Sequence, residues 1–195
     1  FLRPLGLRLK EVIMDAITQF DLNILHSIHE GISCGFLDAV FPKLTLLCYL
    51  FIGAAVVFLF FRKFRQGGAA MCGAILLSLL VGNLLLKNLV ARDRPCWIDP
   101  DFLQLLVSVP KDFSFPSAHT MISVSAAAAL FHYSKALGIP ALVIAALVGF
   151  SRLYLFVHFP TDVLAGAVIG VILAVVSCIV TDKIAARIKS KKAVN

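Results

Sequence analysis

Three short runs of this sequence carry the side chains that can do chemistry. Lys87 and Arg94 stand seven residues apart, with Pro95 directly after. Pro116-Ser117-Ala118-His119 opens a stretch of small and apolar residues. Ser151-Arg152 is followed at a distance by His158 and Asp162. A histidine beside a carboxylate can act as an activated nucleophile or base. Arginine and lysine hold phosphate or another oxyanion. Ser117 suits a helix N-cap, and the backbone N–H groups that follow a cap have no helical partner and can face an anion. The chemistry these residues suggest is the holding of a phosphate or another oxyanion beside a histidine able to act as nucleophile or base. Each run also has a plainer reading when taken alone: Lys87 and Arg94 as cations snorkelling to an interface, Ser117 as a simple cap, a lone histidine as structural.

The elements that must position them are membrane helices. Sixty per cent of the residues are hydrophobic and 15% are charged. A soluble domain rarely combines these values, and the apolar residues come in blocks long enough to span a bilayer. The expected fold class is all-α: a polytopic transmembrane helix bundle in one domain, with about five spans and an amphipathic N-terminal helix. The spans are expected over Leu44–Phe61, Ala69–Val90, Ser117–Tyr133, Ile139–Val157 and Pro160–Val180. Residues 1–42 carry Glu11, Asp15, Asp21, His26, His29, Glu30 and Asp38 among helically spaced apolar positions. That pattern reads as a helix on the membrane surface, broken near Gly31 to Gly35. The transmembrane domain then covers 43–182, and 183–195 form a basic cytoplasmic tail. With this layout the three runs fall at one face of the membrane. Ionisable groups are costly there and read as a functional site, so the plainer readings weaken when the runs are taken together.

The net charge of +7 gathers at Arg62, Lys63 and Arg65 and again at Lys183, Arg187, Lys189, Lys191 and Lys192. These positions mark the cytoplasmic side, so the candidate site is expected on the extracytoplasmic face of a plasma membrane. The basic N-terminal helix conflicts with that orientation. No basic stripe interleaved with aromatics speaks for nucleic acid as a partner. The five cysteines have no zinc-like spacing, and no metal is expected. Cys48, Cys72 and Cys178 read as packing residues. Whether Cys34 and Cys96 pair is left open. No cleavable signal peptide is visible, and a start at Phe1 instead of Met leaves room for residues before it.

The three runs resemble the signature motifs of the type 2 phosphatidic acid phosphatase (PAP2) family of membrane lipid phosphatases and related haloperoxidases. KxxxxxxRP matches Lys87 to Pro95. PSGH matches Pro116 to His119, with Ala118 in place of glycine. SRxxxxxHxxxD matches Ser151 to Asp162. The motifs occur in the family's order. The family commonly has six spans, and here the amphipathic N-terminal region stands in place of the first. The alanine methyl narrows the pocket while its N–H remains.

The resemblance implies a phosphohistidine route. His158 attacks phosphorus while Asp162 fixes its tautomer and stabilises the imidazolium. Lys87, Arg94 and Arg152 neutralise the phosphoryl oxygens, and Ser117 and Ala118 add hydrogen bonds. His119 protonates the leaving oxygen and then activates water. Three cations take a metal's part, so no cofactor is expected. The expected partner is a lipid phosphate or diphosphate, with undecaprenyl diphosphate favoured over phosphatidylglycerophosphate and phosphatidate. The alternatives are a lipid phosphotransferase using the same site and a non-catalytic transporter of anionic lipids. Trp97 and the apolar residues from Phe102 to Val109 read equally as a lid over the site or as an amphipathic loop helix. Gly166 and Gly170 read as a point of close helix packing.

Overall fold

A computed structural model describes residues 5–194, and helix is the regular structure among the described residues. The N-terminal helix α1 (Leu5–Ile32) stops at a Ser33–Cys34 break, where the expected interruption near Gly31 to Gly35 falls. After it, α2 (Gly35–Leu44) carries Pro42, which cannot donate to the preceding turn. The chain loosens at Thr45 and Leu46 and resumes as α3 (Leu47–Phe60). The residues expected to end the surface helix therefore open the first apolar column, Gly35–Phe60.

The second column is α4 (Arg65–Ser78), a π-helical stretch (Leu79–Leu86) and α5 (Lys87–Val90). Wide π turns recur at functional sites, and this one lies directly before Lys87. Ala91 ends the column in the left-handed region, at φ 49° and ψ 44°, with its N–H donating to the Lys87 carbonyl at 3.0 Å. Pro95 starts the short α6 (Pro95–Ile98), leaving Arg94 extended just before it, as Pro95 dictates. The last three helices are α7 (Ala118–Tyr133), α8 (Lys135–Tyr154) and α9 (Pro160–Val194). Pro160 occupies the first position of α9, and the helix continues through the lysine-rich end that the sequence suggests is a separate tail.

Among the described residues, four stretches are long and apolar enough to cross a membrane: Gly35–Phe60, Arg65–Ile98, Lys135–Tyr154 and Pro160–Lys191. The third expected span is α7, which at 16 residues is shorter than these and lies among them. Its small residues explain that position. Ser123, Ser125, Ala126, Ala127 and Ala129 are fully buried, against Phe51 and Ala55 of α3, Ala70, Met71 and Ala74 of α4, Ala145 and Val148 of α8 and Ala174 of α9. Hydroxyls bridge the same helices: Ser78 donates to Ser125 at 3.0 Å, and Ser177 donates to the Ala70 carbonyl at 2.8 Å. Large apolar side chains such as Phe60, Leu84, Val143, Leu164 and Ile172 face outward, as a lipid solvent requires.

The connection from Asp99 to Phe115 forms no helix, so the amphipathic loop helix is not what these residues build. They fold down instead. Trp97, Phe102, Leu103 and Leu105 pack on Leu22 and Leu25 of α1 and on Phe156 and Phe159. Val107 joins a second cluster with Phe41, Leu155 and Val157. His26 of α1 bonds Asp99 at 3.0 Å and stacks on Phe102 at 4.0 Å. The helix α1 is thereby tied to the loop region instead of lying apart from it.

Candidate active site

The segment between α8 and α9 brings the site together. Phe156 takes a left-handed conformation, φ 56°, which turns the chain sharply after the α8 end. Val157 and His158 follow at the turn, both almost wholly buried. Arg94 reaches His158 from the α5–α6 connection: its Nη1 lies 3.2 Å from His158 Nε2 and donates to the Val157 carbonyl at 2.6 Å. Guanidinium has no acceptor, so His158 Nε2 must accept. The ring proton then sits on Nδ1, which faces Asp162 Oδ2 at 3.7 Å. That is an ion-pair distance, not a hydrogen bond, and Nδ1 has no hydrogen-bond partner among the described residues. Burial pushes the His158 imidazole down to about 4, with Arg94 and Lys87 acting the same way and Asp162 opposing them.

A cavity of about 590 Å³ opens in front of His158. Of the residues expected from the sequence, Lys87, Arg94, Ala118, His119, Arg152 and His158 line it. Ser117 and Asp162 stand behind its wall, fully buried. Ser117 has the extended backbone of an N-cap, but its hydroxyl bonds Thr120 Oγ1 at 2.9 Å and caps no backbone N–H. Its own N–H donates to the Asp162 carbonyl at 3.2 Å, which joins the starts of α7 and α9. Ala118, which replaces the expected glycine, lines the cavity with its backbone at the α7 N-terminus.

The electrostatics of the cavity are one-sided. Lys87, Arg94 and Arg152 are all buried. Arg152 is held by hydroxyls, donating to Thr45 and to Ser151 Oγ at 3.3 Å, and no carboxylate among the described residues pairs with it. Lys87 and Arg94 share one carboxylate, Asp112, whose Oδ1 lies 2.7 Å from Arg94 Nη2 while Oδ2 pairs with Lys87. Burial works against the Asp112 carboxylate, but Lys87 and Arg94 outweigh it and hold it below the usual range. Three cations facing one acid leave an excess of about two positive charges, the charge a phosphate would neutralise. The other wall is apolar: Pro42, Leu46, Tyr49, Val107 and Pro110 border the same cavity, and Leu46 and Tyr49 are exposed on the outer surface of the bundle.

Four contributors escape a motif reading. Thr45 comes from the α2–α3 junction, Asp112 from the long loop, and Arg92 and Asp21 from behind His158. Arg92 lies two residues before Arg94, in a segment whose only chemical signal is the later arginine, and Asp21 sits 141 positions before Asp162 in a helix that reads as a surface element. Cys34 and Cys96 are both free thiols. Among the described residues no group of three His, Cys, Asp or Glu side chains is arranged to hold a metal ion.

The fold and the site together define a membrane-embedded helical bundle with a histidine and a cationic anion pocket at one end. The sequence model of the PAP2 superfamily matches residues 67–185, and the chain belongs to that superfamily. It is 32% identical over 124 residues to an undecaprenyl-diphosphatase of Sulfolobus acidocaldarius, covering 63% of this chain and 59% of the relative. It is 36% identical over 136 residues to phosphatidylglycerophosphatase B of Bacillus subtilis, covering 63% and 60%. The matches thus span about three-fifths of these curated relatives' lengths. Among solved structures, the fold is similar to Aquifex aeolicus LpxE, with a TM-score of 0.68 at 29% identity, covering 78% of this chain and 92% of that one. It is equally similar to a transmembrane PAP2 type phosphatidylglycerolphosphate phosphatase from Bacillus subtilis, with a TM-score of 0.68 at 31% identity, covering 87% and 88%.

Proposed function

We propose that this chain is an integral membrane phosphatase that hydrolyses a lipid phosphate or diphosphate through a phosphohistidine on His158. The observation that carries this reading is the single cavity in which the unprotonated Nε2 of His158 faces the same space as Lys87, Arg94, Arg152 and His119. A phosphate held by the three cations would bring phosphorus to Nε2. Attack forms the N–P bond as the P–O bond to the lipid breaks, and His119 gives its proton to the leaving oxygen. Nδ1–H stays on the ring, and Asp162 stabilises the positive charge the ring acquires. Water, deprotonated by His119, then breaks the N–P bond and releases phosphate. The three cations lower the barrier by matching charge that develops on the phosphoryl oxygens.

The lipid part of the substrate is supported by the cavity's apolar side, where Leu46 and Tyr49 lead from the cations to the outer, lipid-facing surface. Undecaprenyl diphosphate is the favoured substrate, by analogy with the Sulfolobus relative's name. Phosphatidylglycerophosphate is the next, by analogy with the Bacillus relative. The basic loop at Arg62–Arg65 and the basic end of α9 support an extracytoplasmic site.

The test is phosphate release in detergent, in the presence of chelator, by wild type and His158→Ala. The lipids compared are undecaprenyl diphosphate, phosphatidylglycerophosphate and phosphatidate. Release by wild type alone is the expected result, with undecaprenyl diphosphate turned over fastest. Binding of these lipids without phosphate release would refute hydrolysis.

A further inference from the structure

Behind His158 lies a buried charge cluster that faces away from the cavity. Arg92 is at its centre. Its Nη1 donates to Asp162 Oδ1 at 2.8 Å and to Thr161 Oγ1 at 2.7 Å, and its Nη2 donates to Asp21 Oδ2 at 2.8 Å. The guanidinium lies over the Phe159 ring, 3.9 Å from its centroid. The Thr161 hydroxyl closes the ring by bonding Asp21. Asp21 and Asp162 are both fully buried, and Arg92 nearly so. The Arg92 carbonyl also accepts the Ser114 N–H at 2.8 Å, which anchors the strand of chain leading into Pro116 and α7.

Two features of this cluster bear on His158. First, Arg92 occupies Oδ1 of Asp162, and the Phe159 N–H occupies part of Oδ2 at 2.9 Å. The carboxylate cannot rotate, so Oδ2 stays aimed at the imidazole. Second, the charges do not balance. Two buried carboxylates face one guanidinium, and Asp21 Oδ1 has no hydrogen-bond partner among the described residues. A buried uncompensated charge is costly. The imbalance disappears when His158 becomes cationic, as it does on bonding to phosphorus.

We propose that Arg92 and Asp21 are positioning residues for the phosphoryl-transfer step. Arg92 fixes the Asp162 carboxylate against His158, and Asp21 supplies the second negative charge that favours the cationic ring. The helix α1 is then part of the catalytic apparatus, since Asp21 is its contribution. This inference rests on the phosphohistidine reading above.

The test uses the full chain in detergent and compares wild type with Asp21→Asn, Arg92→Lys and His158→Ala. Asparagine keeps the shape of Asp21 and removes its charge. Lysine keeps the charge of Arg92 but lacks the planar fork whose two nitrogens reach Asp162 and Asp21 separately. Four quantities are measured: kcat, KM, and the inhibition constants of orthovanadate and of inorganic phosphate. Orthovanadate becomes five-coordinate by bonding the nucleophile, whereas inorganic phosphate needs only the cations. Neither Arg92 nor Asp21 lines the cavity, so KM and the phosphate constant should stay within about twofold while kcat falls roughly tenfold or more. The vanadate constant should rise in step with the fall in kcat. Loss of folded protein lowers kcat but leaves both inhibition constants unmoved, and that pattern overturns the proposal. So does a parallel rise of both constants, or a kcat equal to wild type. Should Asp21→Asn fail to fold, Arg92→Lys carries the same comparison. If wild type itself releases no phosphate, the phosphatase reading falls and this inference falls with it. If wild type turns over and the variants match it, only the role of Arg92 and Asp21 is lost.

Discussion

Replacing Gly166 by alanine should damage the site from behind without touching a reacting group. Gly166 is on α9, one turn past Asp162, where α9 crosses the start of α7. A Cβ built there would lie 2.8 Å from the Ser117 carbonyl oxygen and 3.5 Å from the Met121 nitrogen. Ordinary Cβ contacts begin at 3.4 Å, so the helices must part by about 0.6 Å. The obstacle is backbone, and no side-chain rotation relieves it. Overpacking of this kind costs roughly 1–3 kcal/mol. Removing a glycine from a helix returns about 0.5–1 kcal/mol, so the net loss is centred near about 1 kcal/mol and reaches at most about 2.5 kcal/mol. For a chain of this size a loss of about 1 kcal/mol lowers Tm by roughly 2–4 °C.

The effect on rate should be larger than the effect on stability suggests. The Ser117 carbonyl accepts the first helical bond of α7, from Met121 at 2.9 Å, and the Ser117 N–H is bonded to Asp162. Parting the helices therefore shifts Ala118 and His119 relative to His158. A misplacement of about 1 Å costs on the order of a hundredfold in rate, so about half that distance should cost roughly tenfold. The assay is phosphate release together with thermal unfolding in the same detergent. Gly53→Ala is the control: nothing lies within 4 Å of its Cβ position, so it should be neutral or slightly stabilising. If Gly166→Ala matched wild type in both Tm and kcat, the close approach of α7 and α9 would not be what aligns the site.

Three further outcomes follow from the same geometry. Asp112→Asn should tighten inhibition by inorganic phosphate several-fold, because it releases Lys87 and Arg94 from the carboxylate that occupies them; unchanged inhibition would mean that Asp112 does not compete for the anion site. Since burial pushes the His158 imidazole down to about 4, the proposed nucleophile should stay neutral through about pH 5.5, and the acid limb of kcat/KM assigned to it should lie below about pH 5, not near the 6.5 of free imidazole. The folded chain then binds fewer protons at His158 than the unfolded chain between about 6.5 and 4, so this residue makes Tm fall as pH drops through that window. Ala91→Gly should raise Tm by roughly 2–4 °C, since glycine removes a left-handed penalty of about 1 kcal/mol at a helix end.

What could be read from the sequence was what depends on spacing along one chain. Pro95 after Arg94 predicts an extended arginine at a helix border, and the structure has it there. Pro160 before Asp162 predicts a helix start, and α9 begins at that residue. Gly166 and Gly170, a turn apart, predict close packing, and their Cβ positions would press on the Ser117 and Met121 carbonyls of α7. The membrane character follows from composition alone. Two expectations gave way where burial decides. Apolar residues from Phe102 to Val109 suit a loop helix, but clusters around Phe156 and Phe41 compete for them and the backbone follows the side chains. Ser117 suits a cap, but its buried hydroxyl is taken by Thr120.

What could not be read depends on which elements meet. Asp21 is one of several acids spaced along an amphipathic helix, and no local rule separates it from Asp15 or Asp38. Only the docking of α1 beside the α8–α9 turn places it on Arg92. Arg92 itself is overshadowed by Arg94, yet the two arginines face opposite sides of the same histidine: Arg94 points toward the cavity and Arg92 toward the buried acids. This arrangement separates charge across the imidazole. On the cavity side there is an excess of positive charge that calls for phosphate, and on the buried side an excess of negative charge that calls for a cationic ring. On the proposed phosphohistidine route, forming the N–P bond would meet both demands in one step, because the anion would arrive on one side of the ring as the positive charge forms on the ring itself. Arg94 Nη1 would pass from the Nε2 lone pair to the arriving phosphate, while the buried charges behind the ring are already in place. The arrangement requires that the two excesses be kept apart by a buried, rigid histidine, which is the position that Val157, Phe159 and the Phe156 turn give His158.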